Sequence, residues 1–191
     1  MSPGRFDWLK TPIFFFTKPR RAYNSAIPLP LGKPPEDESR EFLASRFKDA
    51  GVALGCAERE GILSASENIP YYLQELASAV FEAAQPDGKV AAAHLEQAVE
   101  DIVAKNAELY AERMAGLSES KRAILLALAT EPTSTFSDEY RSAHALPVSS
   151  TLHTALKELQ EEGIVDTDGK GHRLADPFFI RYIRTSPVRV F

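Results

Sequence analysis

Apolar residues recur along most of this chain at helical intervals, and in one short stretch near the end they alternate. After Pro35, the run Glu36-Asp37-Glu38 favours a helix N-terminus through the macrodipole. Phe42, Leu43 and Phe47 follow on one side, and the pattern stops near Gly51. A second, short helix is predicted from Ala57 to Ser64. A third begins at Pro70, a residue suited to a first helical turn. Its stripe of Tyr71, Leu73, Leu76, Ala77, Val80 and Phe81 has a period near 3.6. Gln85-Pro86-Asp87-Gly88 is a turn. One long helix is then predicted from about Ala91 to Ala115, with Leu95, Val99, Ile102, Val103, Leu109 or Tyr110, and Met114 on its apolar face.

Leu117-Ser118 restarts the pattern with a capped helix start. Ile124, Leu125, Leu126 and Leu128 predict a buried helix that ends at Glu131-Pro132. A second helix is predicted over Ser137–Ala145. Pro147 opens a third, with Leu152, Leu156 and Leu159 on one face and Gly163 as its stop. Ile164-Val165-Asp166 and His172-Arg173-Leu174 flank the turn Thr167-Asp168-Gly169-Lys170-Gly171, which predicts a β-hairpin. Asp176 to Arg184 is a final helix or an extended tail, carrying Phe178, Phe179 and Tyr182. Three helices followed by a hairpin is the winged helix-turn-helix arrangement. The predicted fold class is therefore mostly α: a helical, lid-like bundle over residues 36–116, then a winged helix over 117–184 with a small β-hairpin, and a tail over 185–191.

Residues 1–35 break this pattern. Seven prolines block helices and central strands there. Yet Phe6, Trp8, Leu9, Ile13, Phe14, Phe15 and Phe16 supply apolar surface that normally packs against something. The stretch is also basic. Over residues 1–34, Arg5, Lys10, Lys18, Arg20, Arg21 and Lys33 stand against Asp7 alone, a net of +5. The whole chain is −5, so the remainder carries −10. Such a leader is either an arm for an acidic partner or a piece of a larger domain.

With 191 residues, 44% hydrophobic and 26% charged, the chain has globular composition, which excludes collagen, a disulfide mini-protein and a fully disordered tail. No apolar run approaches the roughly 20 residues of a bilayer helix. The lone Cys56 precludes an internal disulfide and predicts a reducing, cytoplasmic setting.

Candidate chemistry is sparse. None of His94, His144, His153 and His172 lies at short helical spacing from another or from Cys56, so no metal site is expected. Cys56, beside a predicted helix start, reads as a small buried hydrophobe rather than a nucleophile. Neither G-x-x-x-x-G-K-[ST] nor G-x-G-x-x-G occurs, so P-loop hydrolysis by this chain alone is not expected. No catalytic residue is assigned. Asn68 reads as the cap of the Pro70 helix.

A winged helix raises the question of DNA. Its recognition helix would present Ser149, Ser150, His153, Thr154 and Lys157, and the wing would add Lys170, His172 and Arg173. Ser118–Arg184, however, holds eight Lys and Arg against ten Asp and Glu. That balance lacks the usual electrostatic footprint. The alternative use is protein docking.

The order of the pieces resembles the C-terminal half of archaeal-type AAA+/STAND P-loop ATPases. Four stretches carry the resemblance. They are Lys18-Pro19-Arg20-Arg21-Ala22-Tyr23-Asn24-Ser25 with Ile27-Pro28-Leu29-Pro30-Leu31; Glu41-Phe42-Leu43-Ala44-Ser45-Arg46-Phe47 with Gly51; Glu67-Asn68-Ile69-Pro70 and the helix after it, like that family's G-x-P motif; and Leu117-Ser118 through Arg173-Leu174-Ala175-Asp176-Pro177-Phe178-Phe179. The resemblance implies that Pro70 faces the adenine of a bound nucleotide, with Asn68 where the family has glycine. It also implies that residues 1–35 are the edge of an ATPase core whose Walker A lysine, Walker B acid and parallel sheet have no counterpart here. On this reading the chain is a non-catalytic lid plus winged-helix module, not an enzyme. It would act in protein–protein interaction, with nucleotide dependence left open. The chain alone would carry no cofactor, and ATP would enter only if a core is supplied. An ATPase core or another protein chain is the expected partner, and no membrane is. The alternative is a stand-alone winged-helix transcription regulator that binds DNA.

Overall fold

The computed structural model describes residues 33–133, 136–167 and 171–186. Most of the leader, Lys170 and most of the tail lie outside the described residues. The first part holds α1 (Glu36–Asp49), α2 (Cys56–Ala65), α3 (Pro70–Ala84), α4 (Ala92–Lys105) and α5 (Ala107–Ala115). The second holds α6 (Glu119–Thr130), α7 (Asp138–Ala143), α8 (Ser149–Glu161), β1 (Val165–Thr167), β2 (His172–Leu174) and α9 (Pro177–Thr185). Among the described residues the fold is mostly helical with one antiparallel hairpin, as the pattern predicts.

Periodicity decides which faces are buried. α3 buries Leu73, Leu76, Ala77, Val80 and Ala84 and packs mainly on α4, whose Ala98 and Ile102 are buried. α6 buries Ile124, Leu125 and Leu128, while Leu126 stays half-buried. α8 buries Leu152, Leu156 and Leu159 and packs on α6. Gly163 ends it at φ +69, where a side chain would be strained. In the hairpin Val165 pairs with Leu174, Asp166 with Arg173 and Thr167 with His172. The His172 N–H also donates to Thr133 O at 2.7 Å, which adds a third edge to the wing.

Two expectations change. The single helix predicted over 91–115 is two helices, because Asn106 bends the chain. Its Nδ2 donates to Ile102 O at 2.9 Å and so competes with the helical ladder. The apolar stripe continues across the bend, which hides it in the sequence. Beyond the hairpin the chain is helical. Asp176 accepts from the N–H groups of Phe178 and Phe179 at 2.9 and 3.0 Å, and Pro177 takes the first helical position.

α9 joins the two parts by packing on both α4 and α6. Phe178 and Phe179 are fully buried, each contributing about 1.5–3 kcal/mol of apolar burial. Tyr72 of α3 meets the Phe178 ring at 5.6 Å, and Tyr110 of α5 meets Phe179 at 5.0 Å. The Tyr110 hydroxyl donates to Asp176 Oδ2 at 3.0 Å. One apolar core therefore runs through both parts.

Candidate functional site

The turn between α2 and α3 sets the site. At the end of α2 the Glu67 N–H donates to Ser64 O and the Asn68 N–H to Leu63 O, the two bonds of a Schellman motif. That motif demands a left-handed residue after the helix. Glu67 takes it at φ +50 and Asn68 follows at φ +54. Glycine is the ordinary occupant of such positions; Asn tolerates them, whereas Glu pays about 1 kcal/mol. This is a physical reason for a glycine in the motif that Asn68-Ile69-Pro70 resembles. Asn68 is not the helix cap expected of it. Ile69 is the cap residue, and Asn68 Nδ2 instead donates to Pro34 O at 2.8 Å.

A cleft of about 1040 Å³ opens between this turn, α1, α2 and the wing. Pro70 lies on its wall with an exposed ring. Its charges come in pairs. The Arg173 guanidinium bridges Glu67 and Asp166, the latter at 3.3 Å. Lys33 Nζ is 3.7 Å from Glu67. Arg40 reaches Glu60 at 2.9 Å and Glu36 at 2.7 Å. The Arg40 hydrogen bonds hold the Glu60 carboxyl below its usual range and raise Arg40. Each of these cleft cations thus already faces a carboxylate.

The structure brings Pro70 and Arg173 together in this cleft. Ser149, Ser150, His153, Thr154 and Lys157 do not line it; they form the exposed face of α8. Lys157 sits 3.9 Å from Glu161. His172 packs on the Phe136 ring at 5.3 Å, and burial lowers its pKa. Cys56 corrects an expectation: it is exposed at the start of α2, with Arg59 Nη2 3.9 Å from its sulfur. Among the described residues no group of His, Cys, Asp or Glu converges to hold a metal, and no helix is long and apolar enough to cross a membrane. Sequence reasoning missed Lys33, Arg40, Glu60 and Glu67 as cleft residues. Their pairing spans up to 106 residues of chain, and no local pattern announces it.

Residues 108–185 match the family model described as a probable winged helix domain. This region is a winged helix domain. Its matched stretch takes in α5, in keeping with the Tyr110–Asp176 bond that ties α5 to α9. Within the winged helix domain, α8 stands where a recognition helix stands and β1–β2 form the wing. The fold as a whole is similar to the Walker-type ATPase of Pyrococcus abyssi, with a TM-score of 0.60 and 19% identity. The match covers 80% of this chain and 42% of the ATPase, so the chain spans less than half of that protein's length. At this identity the likeness is one of fold. No curated protein sequence matches the chain.

Proposed function

We propose that this chain serves as the lid and winged-helix portion of a Walker-type ATPase arrangement, non-catalytic by itself, with its cleft taking the base end of a nucleotide. The observation that carries this reading is the cleft. It places an exposed proline ring on the wall of an open cleft. An apolar ring face of that kind suits a nucleobase. The cleft does not suit a triphosphate, because Lys33, Arg40 and Arg173 are already engaged by Glu36, Glu60, Glu67 and Asp166. Phosphate binding and hydrolysis belong to Walker elements, and these 191 residues hold no Walker A pattern. A core on a partner chain or a further segment would supply them. The similar fold of an ATPase that extends well beyond the matched part supports this arrangement.

A base held from one side by such groups binds weakly, with a Kd of about 1 mM. The test is a titration of the full chain with adenosine and with ATP, followed by NMR, and an ATP hydrolysis assay. We expect adenosine to shift the 66–71 turn, ATP to bind no tighter than adenosine, and no hydrolysis. Tighter binding of ATP, or hydrolysis, would place a phosphate site in this chain and overturn the reading. So would a turn that adenosine leaves unmoved.

A second reading has the exposed α8 face contact DNA. Ser149, Ser150, His153 and Thr154 are free to do so by exposure. It has less support, because Lys157 and Arg173 both face carboxylates and non-specific affinity comes from neutralising phosphates. A flat DNA titration at low salt removes it.

A further inference from the structure

We draw no further inference here: the strongest candidate, the apolar groove of about 380 Å³ between α4 and α9 lined by Leu95, Val99, Pro177, Phe178 and Ile180, carries nothing because nothing in the structure shows what covers it.

Discussion

Replacing Asp176 by alanine removes several bonds at once. Its Oδ1 caps α9 through the Phe178 and Phe179 N–H groups, and its Oδ2 accepts from the Tyr110 hydroxyl. Loss of the cap costs about 1 kcal/mol. Loss of a negative charge at a helix N-terminus adds about 0.5 kcal/mol. The Tyr110 hydroxyl, on a residue only 3% exposed, is left without its acceptor for about 1–3 kcal/mol. The sum for Asp176→Ala is roughly 2.5–4.5 kcal/mol, a large share of the 5–15 kcal/mol that holds a typical domain. Urea denaturation followed by far-UV circular dichroism and by tyrosine fluorescence reads it. The midpoint should fall with the slope unchanged, and the two probes should coincide because one core runs through both parts. Asp176→Asn keeps an oxygen at the cap and should lose no more than about half as much. A double-mutant cycle with Tyr110→Phe should return a coupling of about 1 kcal/mol. A loss below about 1 kcal/mol in Asp176→Ala would refute the reasoning, since the cap alone accounts for that much.

Two further outcomes follow from the cleft and the wing. Glu67→Gly trades two partly exposed ion pairs, worth about 0–1 kcal/mol each, for relief of about 1 kcal/mol at φ +50. Its melting temperature should match or exceed the wild type, and a drop equivalent to more than about 1 kcal/mol would show that the Arg173 bridge outweighs the strain. Burial holds the His172 imidazole below its usual pKa. Its contribution is therefore complete when the ring is neutral in both states and fades as pH falls below about 6.5, the unfolded value. Stability measured between pH 8 and pH 5 should decline on that acid limb, and the decline should be smaller in His172→Gln. Equal slopes would show that the ring is not desolvated.

What the sequence made legible depended on the range over which each feature is encoded. The α3, α6 and α8 stripes repeat every three or four residues, so their existence and buried faces could be read directly. The wing was signalled by a Gly-rich turn between two short apolar runs. The bend at Asn106 was not legible, because apolar positions keep their phase through it. The left-handed pair Glu67-Asn68 carries no glycine, the usual sign of positive φ. Pro70 could be singled out only because its motif resembles one in a known family. Arg40, Glu60, Glu67 and Arg173, which line the same cleft, pair with one another across 20 and 106 residues, a separation at which local pattern carries no information. Cys56 was misread because an apolar neighbourhood in the sequence turned out to be an exposed helix start.

The dual packing of α9 sets an order of events during synthesis. α4 and α5 leave the ribosome long before Phe178 and Phe179 do, and chains fold from the N-terminal side as they emerge. Until those rings arrive, Tyr72 lacks the Phe178 ring and Tyr110 lacks the Phe179 ring and the carboxylate that receives its hydroxyl. The first-made helices must therefore wait with an apolar flank uncovered for some sixty residues of further translation. The helical part that precedes the winged helix domain thus completes its packing late, although in the finished molecule the two share one core.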